Sequence, residues 1–298
     1  MHERTIAYLC WKIIDERHMR LIDFNFKQSD ARNTAWACYK SLSITENLAR
    51  IMPNTLQISL RDKIKYNPLT APLYRSYFCR RALRTGEPEL QALEQLAPDG
   101  RVALDVGSNK GVFSYLLARQ GLDVHAFEPI PMFYERVRRT APHNLQCHNI
   151  ALSNVDGEAD FHLPVKNGRI YNQTATLRTI GDDAEHITIK VQTSRLDSLL
   201  MNNIGFIKID AEGFEKQILE GAVETISRDR PVMLIEIEES HTGEDLWTSL
   251  KFVESLGYTT HGYHENKVQP LEAFFDIEKH HRNFAGGRYY NNFIFLPI

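Results

Sequence analysis

Residues 102–128 read VALDVGSNKGVFSYLLARQGLDVHAFE. The apolar run at 102–106 has the length and β-branched content of a buried strand. Gly107 and Gly111 bracket a loop, residues 111–120 carry helical patterning up to Gly121, and a second short apolar run fills 123–127. Strand, glycine loop, helix and strand in this order open a doubly wound parallel sheet. Ligands of such sheets bind at the carboxyl ends of the strands. The loop spacing is D-x-G-x-x-x-G. It departs from the G-x-G-x-x-G of dinucleotide sites, since Asn109 holds the second glycine position, and no G-K-S/T phosphate loop is present. Asp105, two residues before the first glycine, suits a cationic ligand better than a pyrophosphate. Glu128 closes the second strand about twenty residues on, where a carboxylate accepts hydrogen bonds from ribose hydroxyls.

Downstream, short apolar runs at 145–150, 206–210, 233–237 and 292–297 alternate with helical patterns near 131–140, 214–228 and 243–256. This alternation predicts an α/β fold with a mostly parallel sheet and helices on both faces. Two half-exposed strands are expected at 157–163 and 186–192. Residues 1–97 lack a strand series and read as a mainly helical extension, with amphipathic segments at 34–51 and 87–97. Asp99-Gly100 marks the start of a second domain over 98–298. The chain of 298 residues is 43% hydrophobic and 24% charged, which excludes a disordered or fibrous protein. A net charge of −3 leaves no global basic field, so DNA is not an expected partner. Cys10, Cys38, Cys79 and Cys147 show no C-x-x-C spacing, which argues against a zinc site and suits a reducing compartment. The apolar patch near residues 6–14 is too short to span a bilayer and lacks a cleavage signature, so the expected location is the cytoplasm.

A set of ordered segments then resembles one family. LDVGSNKGVFS (104–114), AFEPIPMFYERV (126–137), NIALSN (149–154), RLDSLL (195–200), FIKIDAEGFEKQILEGA (206–222) and RPVMLIEIE (230–238) are similar to the FkbM family of S-adenosylmethionine-dependent methyltransferases. The resemblance implies the class I methyltransferase (Rossmann-like) fold, a seven-stranded sheet whose last strand, NNFIFLPI, is antiparallel. It implies O-methylation, often of a sugar or natural-product hydroxyl, so the expected acceptor is a glycan, glycolipid or small glycosylated metabolite. An acidic strand end is electrostatically suited to S-adenosylmethionine, which carries an ammonium and a sulfonium. The expected cofactor residues are Asp105, Gly107, Ser108, Asn109, Gly111, Glu128, Pro129, Ala151 and Asp210.

Methyl transfer to a hydroxyl needs the acceptor positioned and its proton taken up. Asp210 ends the fourth core strand, Glu236 lies near the end of the next, and His241 follows that strand; these are the candidate catalytic residues. Helix capping is the competing reading of Asp210. Asp210, Glu212 and Glu236 together offer the oxygen ligands a divalent cation takes. Lys208 needs a carboxylate partner if it is buried. Tyr171, Asn172, Gln173 and Thr174, in a polar stretch, are candidate acceptor contacts together with Glu212. His280 and His281 read as surface residues. Seven Lys/Arg between Arg61 and Arg84, interleaved with aromatics, offer contact with an anionic lipid, a lipid-linked substrate or RNA, or simply a solvated face. The alternatives to sugar O-methylation are RNA methylation and a non-catalytic module that binds S-adenosylmethionine or a partner. Residues 1–97 are expected to serve as an acceptor cap or an oligomer contact.

Overall fold

The computed structural model describes Asn67 and residues 70–98, 100–166, 169–170, 186–282 and 288–298. The helix expected at 34–51 lies outside them. The chain divides into two units at Phe78/Cys79, within helix α1 (Ala71–Thr85). In the second unit, a 3-10 turn at Pro88–Gln91 leads into the short α2 (Leu93–Leu96). β1 (Val102–Val106), α3 (Val112–Arg119), β2 (Asp123–Phe127), α4 (Pro131–Thr140) and β3 (Leu145–His148) follow as expected. The inserted segment holds β4 (Ala151–Leu152), β5 (Gly157–Lys166), β6 (Arg169–Ile170) and β7 (His186–Ser194). The core resumes with β8 (Ile204–Ile209), α5 (Glu215–Glu220), α6 (Val223–Asp229), β9 (Val232–Glu236), α7 (Glu239–Thr242) and α8 (Leu246–Ser255). It closes with β10 (Tyr258–His264), β11 (Lys267–Pro270) and β12 (Asn292–Pro297).

The main sheet runs β11-β10-β12-β9-β8-β1-β2-β3. β3, β2, β1, β8 and β9 are parallel, and β12 is antiparallel between β9 and β10. This is the α/β class I arrangement with the antiparallel last strand. It has eight strands rather than seven, because β11 folds back on β10. Glu265 at φ 48° and Asn266 at φ 62° form the two-residue turn of that hairpin. His264 ends β10 at this turn. The inserted strands form their own sheet, β4-β7-β5-β6, with β5 and β7 antiparallel. No helix of the described residues is long and apolar enough to cross a membrane.

Alternation sorts the strand residues between two cores. Leu104, Val106, Ile207, Ile209, Met233, Ile235 and Phe293 face one. Ala103, Phe206, Leu234 and Ile294 face the other, where α3 and the 90–97 segment cover them. β8 is buried along its whole length, as a central parallel strand covered on both faces should be.

The single helix expected over 214–228 is two, α5 and α6, broken at Gly221-Ala222. A Cβ on Gly221 would sit 1.9 Å from the carbonyl oxygen of Ser153, so the break lets the backbone close on the start of the inserted segment. Gly221→Ala is expected to cost roughly 1–3 kcal/mol, because two backbones must part. Urea unfolding of the variant beside the parent checks it, and an unchanged midpoint would refute the contact.

Candidate functional site

The glycine loop owes its shape to two glycines and one asparagine in the left-handed region: Gly107 at φ 77°, Asn109 at 48° and Gly111 at 78°. Its first turn is pinned by the N–H groups of Gly107 and Ser108, which both donate to Phe127 O at 3.0 and 3.1 Å. A Cβ at Gly107 would lie 1.8 Å from the carbonyl oxygen of Asp210. The ends of β1 and β8 thus meet backbone to backbone, and Asp210 N donates to Val106 O at 3.0 Å. Only glycine permits both this approach and this φ.

Two carboxyls flank the loop. Asp105 is 2% exposed and accepts from Ser114 N at 2.8 Å and from the Ser114 hydroxyl, which ties β1 to the first turn of α3. Burial pushes its carboxyl up to about 6. Glu128 accepts from Asn109 N at 2.7 Å and from Ile130 N at 2.8 Å. Burial outweighs these bonds and pushes it up to about 7. Asn149 donates to Glu128 O and Pro129 O at 2.8 and 3.0 Å and so fixes the turn that carries both residues. Ala151, in β4, is buried.

The strand ends beyond Asp105 form one polar row. The register sets Asp105 beside Lys208 and Glu236 beside Asn292, and alternation keeps all four on one face. Lys208 is 1% exposed. Its Nζ donates to Asn292 Oδ1 at 2.8 Å, stands 4.0 Å from Asp210 Oδ2 and lies 5.2 Å above the Phe113 ring. Burial works against this ammonium, but Asp210, Glu87, Glu236 and Asp105 outweigh it and hold it above its ordinary value. The carboxylate partner expected for Lys208 is therefore present. Glu236 accepts from Asn291 Nδ2 at 2.7 Å, and burial, then Asp210, raises its carboxyl far above the usual range.

A second group stands on the same rim. Glu212, at φ 51°, turns its Oε2 to 3.0 Å from His241 Nδ1. This pair raises the imidazole of His241, while burial raises Glu212. Glu215 fastens the connecting turn, its Oε1 accepting from Ala211 N at 3.1 Å and Gly213 N at 3.0 Å. The structure thus links Glu212 to His241 and Asp210 to Lys208.

It does not assemble the cation site expected of Asp210, Glu212 and Glu236. Each turns to a different partner, and among the described residues no group of three His, Cys, Asp or Glu is arranged to hold a metal. His281, expected at the surface, is 5% exposed, with Nδ1 at 2.8 Å from Tyr290 O and its ring stacked on Tyr289. Tyr171, Asn172, Gln173 and Thr174 lie outside the described residues. Asn149, Glu215, Asn291 and Asn292 were not anticipated. The signal for the last two was a polar pair opening the apolar run FIFLP.

A carboxyl whose folded-state pKa exceeds its unfolded value stabilises the fold at low pH, and that contribution is lost as pH rises through the folded value. For Glu128 the window runs from 4.5 to about 7. Glu128→Gln mimics the protonated form. The parent is therefore expected to lose stability between about pH 5 and about pH 8 relative to this variant, by roughly 3 kcal/mol at most. Urea unfolding of both proteins at the two pH values checks this. Parallel pH curves would refute it.

The model of the Methyltransferase FkbM domain matches residues 105–266, more than half of the chain. The crystal structure of an FkbM methyltransferase from Methylobacillus flagellatus aligns with 16% identity and a TM-score of 0.43, covering 86% of this chain and 59% of that one. A TehB-like S-adenosylmethionine-dependent methyltransferase from Corynebacterium glutamicum aligns with 16% identity over 76% of this chain and 100% of that one, at a TM-score of 0.40. An rRNA methylase from Streptococcus thermophilus aligns with 13% identity over 70% and 92%, at a TM-score of 0.36. The chain thus spans less than two thirds of the Methylobacillus protein. No curated protein matches it. By the matched domain model, the chain belongs to the FkbM methyltransferase family.

Proposed function

We propose that this protein is an S-adenosylmethionine-dependent O-methyltransferase acting on a sugar hydroxyl of a glycan, glycolipid or glycosylated metabolite. The observation that carries the proposal is the Glu212–His241 pair, 3.0 Å apart on the rim that also bears Asp210, within a domain of this family.

The loop fits the cofactor on its own terms. Ser108 is 6% exposed and its buried hydroxyl has no hydrogen-bond partner among the described residues. The site of the Gly107 hydrogen admits no side chain. Glu128 stands at the neighbouring strand end with the acceptor capacity that ribose hydroxyls need. Ser108, Asn109 and Glu128 would hold the nucleoside, and Asp105 and Asp210 would supply negative charge for its cationic groups. When bound, S-adenosylmethionine supplies a methyl group on a sulfonium leaving group.

The residues of the chain then have the remaining work. Asp210 accepts a hydrogen bond from the acceptor and orients it. His241, held by Glu212, takes the hydroxyl proton as the new C–O bond forms. A carboxylate behind the imidazole stabilises the imidazolium that results. The RNA reading is weaker, because a rim of carboxylates repels phosphate.

The test follows label from S-adenosylmethionine into glycan, lipid, protein and RNA fractions of cells that lack the protein. Label is expected in the glycan or lipid fraction, and label in RNA alone would overturn the sugar reading. His241→Asn is expected to lower turnover by about 10²-fold or more while the Kd of S-adenosylhomocysteine stays within about twofold. A variant that turns over normally would remove His241 from the reaction. Turnover of the parent is expected to rise with pH through a midpoint above 6.5, because the base must be neutral and Glu212 raises it. Glu212→Gln should shift that midpoint downward.

A further inference from the structure

We infer that the cavity between α5, the end of β9 and the α7–α8 segment is a binding site for a small primary aliphatic amine in its protonated form. Its ammonium is held by Glu215 Oε2 and Gln217 Oε1, and its alkyl chain lies on the apolar floor. The inference does not depend on the methyltransferase reading.

The cavity has a volume of about 100 Å³. A water needs roughly 10–15 Å³ and benzene fits a cavity of about 150 Å³, so this space takes a molecule of about four or five non-hydrogen atoms. Leu219, Ile235, Ile237 and Val253 give it an apolar floor. Against this floor stand two buried acceptors without donors. Glu215 is 5% exposed and lines the cavity. Its Oε1 accepts from Ala211 N and Gly213 N, and its Oε2 has no hydrogen-bond partner among the described residues. Gln217 lines the same cavity, and its buried Oε1 is likewise without a partner among them. Buried acceptors are nearly always paired, so two orphans on one cavity point to a donor that enters from outside. Burial raises the Glu215 carboxyl against the pull of the N–H groups of Glu215, Gly213 and Ala211, and a cation beside it offsets that penalty.

The two acceptors select the ligand. An ammonium carries three donors and no acceptor, so it serves both oxygens at once, whereas an alcohol has one donor. A carboxylate brings only acceptors to acceptors. A metal ion is not provided for, since the floor is apolar and among the described residues no group of three His, Cys, Asp or Glu is arranged to hold one. The cavity's own ammonium is engaged at the exposed edge, where Lys216 Nζ stands 3.4 Å from Glu244 Oε1 and 5.6 Å from the centre of the Phe252 ring. Gly213 and Thr242 also line the cavity and are the chain neighbours of Glu212 and His241, so the amine site adjoins that pair.

The experiment titrates the full chain, by calorimetry near neutral pH, with three probes of one size: n-butylamine, n-butanol and butyrate. n-Butylamine is expected to bind at least about tenfold tighter than n-butanol, and butyrate to show no measurable binding. Glu215→Gln keeps an oxygen for the two backbone N–H groups and replaces the orphan acceptor with a donor. It is expected to weaken the amine by about tenfold or more. Gln217→Met removes the other acceptor at nearly constant size and is expected to weaken the amine by about threefold or more. Ser249→Phe, which fills the cavity and leaves Glu215 intact, is expected to abolish binding. If circular dichroism shows that Glu215→Gln does not fold, the other two variants decide. No measurable binding of the amine, as when ordered water alone fills the cavity, overturns the inference. So does n-butanol or butyrate binding as tightly, or amine binding that the folded variants leave unmoved.

Discussion

A lysine ammonium buried in the middle of a parallel sheet is the constraint around which the rest of the site is organised. Lys208 has no route to solvent, and an unpaired ammonium there would cost several kcal/mol. The strands around it answer with polar residues on the same face: Asp105 on β1, Glu236 on β9 and, beyond β9, Asn292 on β12, with Asp210 at the end of its own strand. The pairing register decides that these residues share a face, and a slip of one residue in any strand would turn its contribution into the opposite core. The same charge that makes the interior tolerable holds the carboxyls at the carboxyl ends of the strands, where a doubly wound sheet binds ligands.

The second constraint is steric and concerns backbone. β1 and β8 approach so closely that Gly107 has no room for a Cβ beside Asp210. The close approach ties the glycine loop to the Asp210 turn backbone to backbone. The Glu212–His241 pair stands on a more adjustable footing. It depends on one residue at φ 51° and on two hydrogen bonds to Glu215. A left-handed glutamate costs of order 1 kcal/mol or more, and it persists because the neighbouring turn fixes it. Precision is thus greatest where the cofactor is expected and least where the acceptor would be discriminated.

Much of this arrangement was legible in the chain. The glycine spacing and the apolar run ending in Asp105 gave the strand–loop–helix opening, and FIKIDAEGFE gave the central strand with Lys208 inside it. Local signals carried these features, because strand burial and tight turns leave marks within a few residues. What escaped was long-range or conformational. Glu212 and His241 are twenty-nine positions apart, and their pairing depends on a backbone angle that glutamate does not advertise. Asn292 meets Lys208 across 84 residues. The two-helix break at Gly221 follows from a carbonyl of the inserted segment, and no helix-breaking signal beyond one glycine announces it. β11 was missed because Glu265-Asn266 is a weaker hairpin signal than Asn-Gly. The cation site failed for the converse reason. Three acids near one rim looked convergent in sequence, but each had a closer partner in space.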